Sequence, residues 1–126
     1  MQYFLKPYNI KVFTTPCVGN KDYLQKQFLR LINDKSYFPQ IIETKEKIYF
    51  SKPHKLIFKI YREFLDMNIE FDLLYDCVMW QAIADNLDLL FSYKNHLFLH
   101  SGGISSNLTQ LKRYEFKDIK TLQNAK

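Results

Sequence analysis

Phe-Pro-Gln-Ile-Ile-Glu-Thr-Lys-Glu-Lys-Ile-Tyr-Phe-Ser-Lys-Pro-His-Lys-Leu-Ile-Phe-Lys-Ile-Tyr-Arg, residues 38–62, runs from an extended arm into an amphipathic helix. Pro39 opens the arm, and the β-branched and aromatic residues of 47–50 predict a short strand. Ser51-Lys52-Pro53-His54 then turns the chain. Ser51 is a favoured cap type, and Pro53 sits where a first helical turn tolerates proline. In the helix that follows, Ile57, Tyr61, Phe64 and Leu65 share the inward face, with Lys55, Lys59, Arg62 and Asp66 outward. Lys45, Lys47, Lys52, Lys55, Lys59 and Arg62 punctuate the stretch, and before the helix only Glu43 and Glu46 offset them. A basic arm joined to a basic helix predicts a surface for nucleic acid.

Upstream, residues 8–15 carry Ile10 and Val12 on one face and read as a strand closed by Pro16. Gly19-Asn20 supplies a turn and a cap. From Lys21 the spacing is helical, with Leu24, Phe28, Leu31 and Ile32 on one face and Lys21, Gln25, Lys26 and Arg30 on the other. Downstream, residues 67–72 alternate like a strand, and 73–91 form the longest helical period. Leu73, Cys77, Trp80, Ala84, Leu87 and Phe91 mark its apolar side, and Asp76, Asp85 and Asp88 its acidic side. Residues 97–99 read as a short strand, Ser101-Gly102-Gly103 as a turn, and the tail around Tyr114-Glu115-Phe116 as an edge strand or a partner contact. The element order predicts an α+β fold: a ferredoxin-like split β-α-β sheet with two helices on one face and an extended hairpin arm. Residues 1–75, with the basic arm at 38–55, form the main unit, and 76–126 form a largely helical C-terminal extension.

The 126 residues suffice for one hydrophobic core, and an aromatic content of 17% indicates folding rather than disorder. Charge is divided along the chain: 12 basic residues against 5 acidic ones in 1–64, one against six in 65–111, and five against two in 112–126. The basic and acidic parts are therefore expected to face different partners. No stretch approaches the roughly 20 apolar residues of a membrane span. The opening Met-Gln-Tyr-Phe-Leu-Lys-Pro has neither the apolar run and cleavage site of a signal peptide nor the composition of a transit peptide. Cys17 and Cys77 stand far apart and read as free thiols in a reducing compartment.

Catalytic patterns are sparse. There is no glycine-rich phosphate loop, and Asp66, Glu70 and Asp72 read as a solvated stretch. His96 and His100, four residues apart, invite a zinc site, but their strand-and-turn context favours hydrogen-bonded histidines. Thr14-Thr15-Pro16-Cys17 resembles the opening of glutaredoxin-like proteins, yet Asn20 stands where the second cysteine of that motif would be. No enzyme, metal or cofactor is expected.

Pro39-Gln40-Ile41-Ile42-Glu43-Thr44-Lys45-Glu46-Lys47-Ile48-Tyr49 resembles the long hairpin loop of the small-subunit ribosomal protein ten family. Pro39, Thr44, Lys45 and Lys47 fall on matching positions, Ile42 stands for leucine, and Pro53-His54 matches after a strand two residues shorter. Tyr61-Arg62-Glu63-Phe64 is similar to that family's second helix. Phe38, Ile41 and Glu43 replace a glycine and two prolines of the loop, and Met67-Asn68-Ile69 stands where the family has a basic cluster. The similarity spans about residues 8–75, and a divergent organellar member with a C-terminal extension would account for it.

That resemblance implies a structural protein of the small ribosomal subunit in the mitochondrial matrix. Its partners would be ribosomal RNA and neighbouring ribosomal proteins, the latter through the acidic helix 73–91. Thr44, Lys45, Lys47, Lys52, His54, Lys55, Lys59 and Arg62 are the expected RNA-binding residues. Tyr49 or Tyr37 would stack on an unpaired base. The arm, residues 38–47, is expected to stay poorly ordered until its target binds. The alternatives are a small non-enzymatic protein-interaction subunit or modulator, of phage or organellar origin, and, more distantly, a thioredoxin-like protein; the alternative location is the cytoplasm.

Overall fold

The computed structural model describes the backbone of residues 1–100 and 103–124 and the side chains up to Lys117. It is a mixed helix-and-strand structure with elements in the order α1 (Gln2–Leu5), β1 (Phe13–Thr14), α2 (Lys21–Leu31), β2 (Gln40–Ile41), α3 (Lys55–Asp66), α4 (Asp76–Asp85), α5 (Leu87–Leu90) and α6 (Asn107–Asn124), with short 3-10 turns between. The β1 and β2 strands are parallel, Phe13 opposite Gln40 and Thr14 opposite Ile41, and α2 lies between them in sequence. Among the described residues they form a two-stranded sheet with no strand inserted between them.

Local chemistry sets these limits. The strand expected over 8–15 shrinks to its last residues because 6–8 wind into a 3-10 turn, closed by Asn9 in the left-handed region. The Gln2 side chain holds the exit from that turn, its Nε2 donating to Ile10 O at 3.1 Å and its Oε1 accepting from Val12 N at 2.7 Å. Asn20 caps α2 as expected, its Oδ1 accepting from Tyr23 N at 2.9 Å. Gly19 is required before it: φ is +77°, and a Cβ would meet the Tyr23 ring at 2.8 Å.

Three expected strands do not form. Pairing with β1 goes to 40–41 rather than 47–50, since Gln40 N and Ile42 N donate to Val12 O and Thr14 O, both at 2.8 Å, and Ile42 is buried. Residues 67–72 close α3 instead. Asn68 sits at φ +60°, and Met67 N and Ile69 N both donate to Phe64 O. Residues 97–99 have no ladder partner among the described residues; Phe98 packs inward while Leu97 is 94% exposed. The long helix over 73–91 starts late, at Asp76, because Asp72 Oδ1 accepts from Leu74 N and Tyr75 N and holds a turn. It breaks at Asn86, whose Nδ2 bonds Ala82 O at 2.7 Å. The tail is neither edge strand nor appendage but the helix α6. Ser101-Gly102, in the expected turn, lies outside the described residues.

One core joins the two halves of the sequence. From α3 come Ile57, Ile60 and Tyr61, from α4 Cys77 and Val78, and between and beyond them Phe71, Leu73 and Tyr114. The i, i+3, i+4 spacing of the α3 residues puts them on one stripe, and burying each branched or aromatic side chain contributes about 1.5–3 kcal/mol. A second layer is aromatic: Phe71 stacks on Phe64 at 3.9 Å and on Phe98 at 5.3 Å between ring centres, with Trp80 edge-on to Phe64 at 4.8 Å. Besides Tyr114, α6 is attached by polar groups. Buried Asn107 accepts from Leu73 N at 3.0 Å and donates to Phe71 O at 2.9 Å.

Candidate nucleic-acid interface

The face of α3 opposite the core carries Lys55, Lys59 and Arg62 at i, i+4 and i+7, all exposed. Lys59 shares its charge with Glu63 at 3.7 Å, an exposed pair that contributes only about 0.3–0.5 kcal/mol. Before the helix, Lys47 and Lys52 converge on one ring: their ammonium groups stand 4.9 and 5.0 Å from the centre of Tyr49, which is 53% exposed. Among the described residues Lys45, Lys47, Lys52 and Lys55 have no ion pair.

Two further cations join this face from a part of the chain that the sequence reading assigned to a separate tail. Arg113 Nη1 donates to Ser51 O at 2.9 Å and to Ser51 Oγ, and Lys117 Nζ donates to Pro53 O at 2.7 Å. Both anchor the turn that bears Lys52. Their i, i+4 spacing on one helix was the available signal, but only the docking of α6 brings them there.

The other expected residues have structural duties. Thr44 donates its hydroxyl proton to Glu46 O at 2.7 Å, forming the turn that presents Lys45. His54, rather than the expected Ser51, occupies the N-cap position of α3, in extended geometry and without a side-chain cap bond; it is half-buried, with Nε2 3.4 Å from Glu46 Oε2. Its amide donates to the Tyr114 hydroxyl at 3.2 Å. Tyr37 is half-buried beneath Lys6, 4.4 Å from the ring centre. The arm itself is docked. Lys45 N donates to Asp85 Oδ2 at 2.8 Å, and Asn86 Nδ2 to Glu43 O at 2.9 Å. Part of the acidic helix thus satisfies the arm's own backbone, which corrects the expectation of an arm left loose until a partner arrives.

The thiols are set into or against the core, and Cys17 lines one small cavity with Tyr49, Ser51 and Lys52. Cys77 is fully buried and Cys17 half-buried beside the same core. Burial, reinforced by the negative charges of Asp72 and Asp76, pushes the Cys17 thiol up to about 11 and that of Cys77 up to about 12. A redox thiol needs the opposite shift. The space beside Cys17, among Ile48, Ile57, Leu73 and Tyr114, is about 10 Å³, room for one water at most. His96 and His100 meet different groups: His96 Nε2 lies 2.7 Å from Leu90 O, and His100 Nδ1 2.6 Å from Asp76 Oδ2. No group of three or more His, Cys, Asp or Glu among the described residues is placed to hold a metal ion.

Both thiols have folded-state values above the ordinary 9.0, so their contribution to stability is complete below pH 9 and is lost as pH rises through about 11 to 12. Native protein at pH 8 is therefore expected to react with a thiol reagent only as fast as it opens, and melts should show stability falling above pH 9. Immediate stoichiometric labelling of Cys17 at pH 7 would contradict this and restore the thioredoxin-like alternative.

The sequence matches no protein-family model, and no curated protein matches it. No helix among the described residues is long and apolar enough to cross a membrane.

Proposed function

We propose that the chain is a non-enzymatic RNA-binding protein that holds single-stranded or looped RNA on the face built from residues 45–62 and α6. The observation that carries this reading is Tyr49, half-exposed with the Lys47 and Lys52 ammonium groups on its ring. An aromatic face accepts an unpaired base of any sequence, and flanking lysines neutralise the phosphates on either side of it. Lys55, Lys59 and Arg62 continue the positive track along α3, and Arg113 and Lys117 widen it. Phosphate contacts of this kind position RNA without reading its sequence.

The motif of Pro39, Thr44, Lys45, Lys47 and Pro53-His54 directs the proposal to the small ribosomal subunit, in the mitochondrial matrix, as a divergent member of the protein ten family. The ferredoxin-like topology belongs to that resemblance and would require residues 47–50 and 67–72 to join β1 and β2 as strands on assembly. Neighbouring ribosomal proteins would meet the acidic segment and the apolar residues after it, where Asp88, Phe91, Leu97 and Leu99 are exposed.

If Tyr49 is the stacking platform, Tyr49→Ala loses about 1–3 kcal/mol of RNA affinity, or roughly 5- to 150-fold. Tyr49→Phe keeps the ring and should stay within about twofold of wild type by the same argument. Filter binding to a short unstructured RNA measures both, and equal losses from the two variants would remove the stacking role. Co-sedimentation with small ribosomal subunits at moderate salt tests the assembly; failure to co-sediment despite RNA binding would reject the ribosomal placement alone.

A further inference from the structure

A second positively charged feature lies away from this face, at the sheet. Lys11, before β1, Lys21 in the first turn of α2, and Lys35, between α2 and β2, border an open groove of about 400 Å³. Its floor is Phe28, Phe38, Pro39 and Ile41, and Gln25 and Gln40 supply its remaining polar groups. No acidic side chain lines it, and among the described residues none of the three lysines has an ion pair. Lys21, Gln25 and Phe28 are at i, i+4 and i+7 of α2, so one helix face presents a cation, an amide and a ring in succession. That face does not enter the core: α2 buries no residue, and Leu31, expected to face inward, is 86% exposed. The half-buried Phe28 and Phe38 rings meet edge to face at 5.3 Å, giving a floor with one planar surface and one edge.

We propose that this groove takes one nucleotide unit of a single-stranded RNA. The lysines would hold its phosphates, the Phe28–Phe38–Pro39 floor would lie against its base, and the Gln25 and Gln40 amides, each both donor and acceptor, would meet the base edge. The dimensions suit a nucleoside, since ligand clefts begin at about 300 Å³. A site for inorganic phosphate alone would have no use for the aromatic floor. An acidic peptide would match the three lysines but would make no use of an aromatic floor bordered by two amides. The inference rests on the RNA-binding reading and extends it, placing a second contact on the same strand beyond Tyr49.

The test uses the full chain and a fluorescent ten-nucleotide oligouridylate. Lys11→Gln/Lys21→Gln/Lys35→Gln is expected to flatten the slope of log affinity against log salt by about 2, at roughly 0.7 per contact with a single strand. Phe38→Leu keeps volume and apolarity but removes the planar ring, and should weaken binding severalfold with the slope unchanged. In side-chain amide NMR spectra, the oligonucleotide should shift Gln25 and Gln40, and uridine monophosphate should shift the same signals at much higher concentration. If wild type binds the RNA while the groove variants bind with the same affinity and slope, and the two amides stay still, this inference falls and the Tyr49 face stands. If wild type binds no RNA, both fall. Equal affinity for the mononucleotide and the decamer, or displacement of the decamer by oligoglutamate as readily as by unlabelled RNA, would also overturn the assignment to an RNA strand.

Discussion

Phe71→Ala is expected to destabilise the protein by about 3–5 kcal/mol, the usual cost of deleting a buried phenylalanine ring. The residue is buried, and its ring stacks on Phe64 and Phe98, meets Trp80 edge to face and lies tilted against His100 at 5.5 Å between centres. It therefore joins α3, α4 and the segment 95–100, which have no sheet to hold them together. Domains of this size have only about 5–15 kcal/mol in total, so the variant should lie close to spontaneous unfolding. Trp80 is the single tryptophan and lies within this ring cluster, so urea melts followed by its fluorescence report the loss directly. Phe71→Leu fills most of the volume and should cost less than about 1.5 kcal/mol. An alanine variant within 1 kcal/mol of wild type would show that the ring stack is not what holds the helices.

The helix α3 and its basic face were legible in the sequence because its apolar residues recur at helical spacing with cations between them, although Leu65, expected inward, is 40% exposed and Ile60 is buried instead. The Asn20 cap of α2 was legible for a similarly local reason: its side chain bonds an amide three residues on. The choice of strand was not. Residues 40–42 and 47–50 are both short apolar runs, and only pairing with distant β1 decides between them. α6 was missed because its buried positions, Asn107, Gln110 and Tyr114, are mostly polar, while Leu108 and Phe116 face solvent. Its attachment combines hydrogen bonds with the single core ring of Tyr114, so hydrophobic periodicity gives a weak signal. The same docking explains why the basic surface was only partly visible: Lys47, Lys52 and Lys55 are neighbours in the chain, whereas Arg113 reaches Ser51 across 62 residues.

Removing lysines from the Tyr49 face should have the largest effect on binding. Each lysine that meets a phosphate releases condensed counterions, and for single strands this contributes about 0.7 to the slope of log affinity against log salt. Lys47→Gln/Lys52→Gln/Lys55→Gln should therefore flatten the slope by about 2 and weaken binding about 50-fold at 0.15 M salt. The fold should persist, since all three side chains are exposed and unpaired among the described residues, and exposed charges add little to stability. Lys112 and Lys117 are unsuitable as a charge control because Lys117 bonds the Pro53 carbonyl on the same face. Lys26, Arg30 and Lys94 are exposed, lie outside both the groove and this face, and match the charge removed.

The deciding measurement is the salt dependence of RNA affinity for wild type, the Lys47/Lys52/Lys55 variant and the Lys26/Arg30/Lys94 variant, all substituted with glutamine. The proposed function predicts a slope lower by about 2 for the first variant and nearly unchanged for the second. Equal changes in both would mean diffuse attraction to a cationic protein, and no change in either would mean that this surface does not bind RNA.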